Sequence, residues 1–277
     1  MTLSVNTNLG AMTALQYLAG TQAQMSQTQN AISTGYKVAS AKDDGATYAI
    51  AQNMRGNVAS YGAVSDSLNR GISAVDVAMS AGQSISDLLI QMKAKALAAS
   101  DKSIDTASRT ALNNDFTALR DQISTIVDNA QFNGFNLVKT TSAGNDITAL
   151  ASADGSKKIT VQSASLALGG GNVSVTSTGN ISTQSAASTM VATVQTSLTN
   201  VNKVLAQFSA GAKKYSIQLG FVSKLSDTLT SGIGNLVDAN MAEESAKLTS
   251  LQTKQQLGVQ ALSIANSSPQ IVLSLFQ

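Results

Sequence analysis

The chain has 277 residues, a formal net charge of +2, 12% charged and 4% aromatic side chains, one proline, and no Cys, His or Trp. Without a thiol or an imidazole there is no disulfide, thiolate nucleophile, Cys-ligated metal site, zincin motif or Ser-His-Asp triad, and the only glutamates, Glu243 and Glu244, are neighbours that cannot flank a substrate. With no phosphate-binding glycine loop and no basic stripe, the composition predicts neither an enzyme with a cofactor or metal nor a partner that is nucleic acid.

The first 36 residues carry no charge, and Lys37 is the first ionic side chain. The opening residues have neither the basic nor the apolar region of a secretory leader. Ala11, Leu15, Leu18, Gln22, Met25, Gln29 and Ile32 follow alternating steps of four and three, the stripe of a helix. Leu9 and Met12 lie off that stripe, so the helix is apolar on more than one face. Gly35 and Asp43-Asp44-Gly45 then break the register. The paired aspartates suit a cap or turn better than a cation loop, because the spaced acidic ligands are missing.

From Tyr61 the stripe runs without a break through Val64, Leu68, Gly71, Val75, Ala78, Gly82, Ile85, Leu89, Met92, Ala96 and Ala99. A shorter stripe holds Leu112, Phe116, Leu119, Ile123, Ile126 and Ala130. Beyond it Asn133-Gly134, Asp154-Gly155 and the run Gly169-Gly170-Gly171 punctuate short alternating segments rich in Ser and Thr, which reads as a few β-hairpins. This stretch is expected to be too polar for a core and to tolerate change. A second long stripe follows through Val191, Val194, Leu198, Val201, Leu205, Phe208, Ala212, Tyr215, Leu219, Val222, Ser226, Leu229, Ile233 and Leu236. Unbroken heptads predict long bundle or coiled-coil helices, the longest roughly 70 Å. A compact bundle core would show the same pattern; the uncharged ends favour an extended, polymerising rod.

A second break is expected near Gly232 and Gly234. After it Leu248, Leu251, Gln255, Gly258, Leu262 and Ala265 form the last stripe, with Leu257, Val259 and Ile264 off it, and residues 255–277 are uncharged again. Uncharged helices that are apolar on several faces need partners all round, so both ends are expected to be disordered alone and to fold against other copies. No run of 18 apolar residues occurs, so no membrane insertion is expected.

The strings SVNTN (residues 4–8), ISTGYKVASAKDD (residues 32–44), FNG (residues 132–134) and GNLVDANMAEESAKLTSLQTKQQLGVQALSIAN (residues 234–266) resemble the terminal signatures of bacterial flagellin, in the right order and at the right ends. The resemblance implies a structural subunit of the extracellular flagellar filament, used for swimming, exported unfolded by the flagellar type III system. A flagellin-like hook-filament junction protein is the alternative. The implied fold is mainly α: an antiparallel bundle or coiled coil of long helices with a small β-hairpin region, and terminal helices side by side. Residues 1–42 and 237–277 become the two halves of an inner filament-core domain. Residues 43–185 become the outer helical domain, variable at about 139–185, and residues 186–236 its returning helix.

The implied assembly residues are Leu9, Met12, Leu15, Leu18, Met25, Ile32, Leu248, Leu251, Leu257, Leu262 and Ile264. The implied outer core is Val64, Leu68, Val75, Ile85, Leu89, Phe116, Leu119, Ile123, Leu198, Leu205, Phe208, Leu219, Val222 and Leu229. Gly35, Asp43, Asp44, Gly234 and Asp238 become connectors, and Asn240 stands where the family often has Asp. Implied partners are other flagellin subunits, an export chaperone at the C-terminal segment, and the filament cap and hook-filament junction proteins.

Overall fold

The computed structural model describes residues 7–140 and 145–273. Ser4, Val5 and Asn6 of the opening string and residues 141–144 of the variable span lie outside the described residues. The elements are α1 (Leu9–Thr34), α2 (Gly45–Ala99), α3 (Thr106–Asn129), β1 (Ile147–Leu150), β2 (Lys158–Val161), α4 (Gln184–Val237) and α5 (Met241–Leu273). The chain divides into two compact units, residues 1–56 with 228–277, and residues 57–227.

In the second unit the predicted α2 stripe is the core. Val64, Leu68, Val75, Ile85, Leu89, Met92, Ala96 and Ala99 are all buried. α4 runs antiparallel to it: Gly71 lies against Tyr215, Gly82 against Leu205, and Lys93 Nζ donates to Gln195 Oε1 at 2.6 Å. α3 turns back along the end of α2. Asp105 caps its first turn, accepting from Ser108 N at 2.9 Å, and Arg109 Nε donates to the Ala99 carbonyl at 3.0 Å. Phe116, Ile123 and Val127 are its buried face, with Leu119 packed half-buried at the edge.

α4 is turned by one residue from the predicted stripe. Val194, Val201, Phe208, Tyr215 and Val222 are buried as expected, but Ser197, Val204 and Gly211 go inside with them. Leu198, Leu205 and Leu219 are half-buried instead, packed against the core from its flank. The cause is a third layer. Gly211 faces β2 so closely that a Cβ there would stand 2.6 Å from a Val161 methyl. Leu229, expected with this core, falls in the first unit.

The middle segment is part of the core, against expectation. Ile147, Ala149, Val161, Leu166, Val173, Val175 and Ile181 are buried beside the helices. Alternation explains how a Ser/Thr-rich chain does this: one side chain in two points inward, and the hydroxyl residues face out. Among the described residues one two-stranded hairpin forms, with Ile147 opposite Val161 and Leu150 opposite Lys158. Asn133-Gly134 makes the expected tight turn, with positive φ at both residues and Phe132 and Phe135 exchanging backbone hydrogen bonds at 2.9 and 3.0 Å. Leu168 and Val173 meet in a single parallel bridge, not a hairpin.

Two variants of one helix test the third layer. Gly220 has open space where a Cβ would go. Gly220→Ala should gain the usual helix preference of Ala, while Gly211→Ala adds the same preference but overpacks Val161. Urea unfolding should find Gly220→Ala the more stable of the two by about 1–3 kcal/mol; equal midpoints would mean Val161 does not press on α4.

Tyr215 ties α4 to the hairpin. Its hydroxyl donates to the Ile147 carbonyl at 2.7 Å, and burial pushes the phenol up to about 12 from 10.0. A phenol held neutral in the fold but free to ionise when unfolded adds stability that is complete below pH 10.0 and is lost as pH rises towards about 12. Thermal melts should therefore fall across that interval, and less steeply for Tyr215→Phe, which at neutral pH should cost about 1 kcal/mol for the lost hydrogen bond.

Candidate functional site

The uncharged ends meet in the first unit. Asn8 caps α1, accepting from Ala11 N at 3.0 Å, and its amide reaches across to donate to the Ala265 carbonyl of α5 at 2.6 Å. Further along, Gly258 lies under Leu18, and Gln255 Nε2 donates to Gln22 Oε1 at 2.8 Å. These pairings run in opposite directions along the chain, so α1 and α5 are antiparallel and their uncharged halves lie side by side.

The connectors hold this register. Gly35 ends α1 with φ 76°, a left-handed cap that glycine adopts without strain. Lys37 N and Val38 N donate to the Val237 carbonyl at 2.8 and 3.3 Å, and Ala239 N donates to the Gly35 carbonyl at 2.8 Å. Tyr36 and Asp238 form an antiparallel bridge, and the Arg55 guanidinium stands 5.9 Å from the Tyr36 ring centroid. Val38, Ala51 and Val237 make a small buried cluster under Tyr48, Ile233 and Leu236.

Both aspartates of the first connector act on backbone, as a cap and a turn. Asp43 accepts from Ser40 N at 2.8 Å and Ala39 N at 3.1 Å. Asp44 caps α2 through Ala46 N and Thr47 N, and the Thr47 hydroxyl, with these amides, holds its carboxyl below the usual range. The second connector is Asp238–Asn240, later than expected. Gly232 and Gly234 are inside α4, where Gly232 meets the Met54 methyl: a Cβ there would stand 3.0 Å away. Gly234 lies in the last turn of α4 against the connector: its carbonyl accepts from Asp238 N at 2.8 Å, and a Cβ there would stand 2.7 Å from the Asp238 carboxylate. Asn240 accepts from Ala242 N at 3.2 Å, supplying at the start of α5 a cap that Asp would also make.

The candidate assembly residues divide in two. Leu251 and Met25 are buried between α1 and α5, and Leu18, Ile32, Leu248 and Leu262 are half-buried there. Leu9, Met12, Leu15, Leu257 and Ile264 face outward, with Leu9 74% and Ile264 70% exposed. Leu15 is a correction to the predicted stripe. The inward face of α1 is Ala11, Ala14, Leu18, Thr21, Met25 and Thr28, so small residues take the places expected for Leu15, Gln22 and Gln29. Sequence periodicity favoured Leu15 because it is large; close helix approach selects Ala14.

This pair is weakly held by itself. Among the described residues α1 buries only Met25, Thr28 and Ala31, and α5 only Leu251. The Thr28 hydroxyl is buried without a hydrogen-bond partner, a loss of about 1–3 kcal/mol. Brief chymotrypsin treatment of monomer should therefore remove both ends and spare residues 57–227, which hold the large core. Trypsin should reach the same result by cutting after Lys37 and Lys254, at the inner edges of the two uncharged segments. Equal survival of the ends would mean the pair is stable without neighbours.

Among the described residues no cluster of acidic side chains could hold a metal, and no helix is long and apolar enough to cross a membrane. Comparison with known proteins gives a consistent picture. The family model for the bacterial flagellin N-terminal helical region matches residues 5–143, and that for the C-terminal helical region matches residues 191–276. Flagellins FljM and FljK of Caulobacter vibrioides are each 50% identical over 274 residues, 99% of this chain and 98% of theirs. A flagellin of Brucella melitensis is 35% identical over 281 residues, 99% of each chain. A crystal structure of Bacillus cereus flagellin aligns with 55% of this chain and 86% of its own, at 21% identity and a TM-score of 0.49.

Proposed function

Because the chain belongs to the bacterial flagellins, the structural subunits of the extracellular flagellar filament, we propose that its α1/α5 pair is the assembly core through which copies polymerise. One observation carries this reading: an antiparallel pair that carries no charge over residues 9–36 and 255–273 leaves Leu9, Met12, Leu15, Leu257 and Ile264 facing outward. A monomer gains nothing from that surface; a lattice of identical copies buries it at every subunit. The same reading makes residues 1–42 and 237–277 the inner domain, and residues 43–236 the layer outside it.

The ten charges of the first unit support the division. Lys37, Lys42, Asp43, Asp44, Arg55 and Asp238 lie at or near the connectors, and Glu243, Glu244, Lys247 and Lys254 lie in the half of α5 nearer to them. Solvated groups are kept out of residues 9–36 and 255–273, the segments this reading assigns to contacts between copies. Export as an unfolded chain through the type III channel suits a sequence without cysteine and with one proline. An export chaperone covering the exposed Leu257, Val259 and Ile264, a distal cap and a hook-filament junction complete the implied set of partners.

The test uses charge. Burying an unpaired carboxylate costs several kcal/mol per subunit, as much as the whole stability of a small domain. Leu15→Asp and Leu262→Asp should leave the circular dichroism of the second unit unchanged and abolish seeded filament growth in electron micrographs. Thr178→Asp, exposed on the second unit, should change stability by less than about 0.5 kcal/mol and leave filaments normal. Normal filaments from both leucine variants would remove the α1/α5 pair from the assembly core.

A further inference from the structure

The two sides of the α1/α5 pair differ. On one side Ala11, Met12, Leu15, Gln16 and Ala19 of α1, with Leu262 and Asn266 of α5, line an open groove of about 370 Å³. On the other side Tyr17 stands 75% exposed. Leu15 and Tyr17 are two residues apart on one helix, so they point about 200° apart and flank the α5 contact from opposite sides. Tyr36, another exposed tyrosine of this unit, is already engaged with Arg55. Neither side carries a charge.

A projection and a groove on opposite sides of one element make a heterologous contact. Each copy offers its projection to one neighbour and its groove to another, and the series stays open. A self-complementary patch would instead close a dimer. A filament subunit requires the open kind.

We propose that Tyr17 of one subunit seats in the groove bounded by Leu15 and Leu262 of the next copy. This rests on the α1/α5 pair being the assembly core, and it names the contact that joins one pair to another. The ring supplies an apolar partner for the exposed Met12 and Leu15, at the edge of the half-buried Leu262. Its hydroxyl meets the Asn266 side-chain amide at the groove, which can donate or accept. Tyrosine therefore fits better than phenylalanine or leucine at this position.

The chain contains no cysteine, so introduced thiols report contacts cleanly. Tyr17→Cys and Ala19→Cys subunits are polymerised alone and as an equal mixture, then oxidised and run on a non-reducing gel. Disulfide-linked dimers from the mixture, and none from either variant alone, are expected. Filaments without cross-links, or Tyr17→Cys linking to itself, would overturn the contact while leaving the assembly core intact. The core itself fails on a separate result, normal filaments from both Leu15→Asp and Leu262→Asp. Should loss of the ring stop Tyr17→Cys from polymerising, p-benzoylphenylalanine at position 17 keeps an aromatic group there. Irradiated filaments of mixed isotope label should then give adducts within residues 11–19 or 259–266 of a second copy; adducts elsewhere overturn the proposal. Tyr17→Ala should raise the critical concentration about tenfold or more, and Tyr17→Phe by less.

Discussion

Three backbone hydrogen bonds, from Lys37 and Val38 to Val237 and from Ala239 to Gly35, close a loop of about two hundred residues. Closing so long a loop costs on the order of 5 kcal/mol in chain entropy, more than three hydrogen bonds return at about 1 kcal/mol each. The closure is possible because α2 and α4 are already antiparallel partners, with Met54 against Gly232 one step from the connectors. Once the loop is closed, α1 and α5 have no choice but to lie together. The proposed assembly core depends on that enforced neighbourhood.

The two units solve opposite problems. The second buries Tyr215, Phe116, Phe208 and a dense set of Val, Leu and Ile, so it gains enough from burial to fold by itself. Glycines at positions 71, 82 and 211 let helix and hairpin approach where a Cβ would press on a neighbour. The first unit does the reverse. It leaves Leu9, Met12, Leu15, Leu257 and Ile264 outside and sets alanine and threonine among the few large apolar side chains between its helices. Under the proposed assembly its stability is deferred to contacts with other copies, which suits a surface without ionic side chains over residues 9–36 and 255–273. A charge there would be repeated in every subunit.

Residues 139–185 show how composition can mislead. Ser and Thr dominate the segment, yet Leu166, Val173, Val175 and Ile181 are wholly buried. Ser197 joins them because its hydroxyl is satisfied twice, donating to the Thr193 carbonyl at 2.9 Å and accepting from Ser174 N at 3.0 Å. A polar residue enters a core when its hydrogen bonds are made there, and such bonding partners are invisible before the chain is folded.

The sequence by itself determined the helices, their pairing order and the family. Heptad spacing marks α2, α3 and α4, Asn133-Gly134 marks a turn, and the uncharged ends mark surfaces that water does not favour; all of these are local or periodic properties. Only the tertiary structure decided which way each helix turns. Gly211 faces inward because Val161, fifty residues away in the chain, stacks on it, and Ala14 displaces Leu15 from the α1/α5 contact because two backbones come close. Periodicity constrains a helix to a face of about 100°, and a single residue step is also about 100°. The choice between adjacent stripes therefore passes to the partner that packs against them, and it is this choice that leaves Leu15 and Tyr17 exposed on opposite sides of the pair.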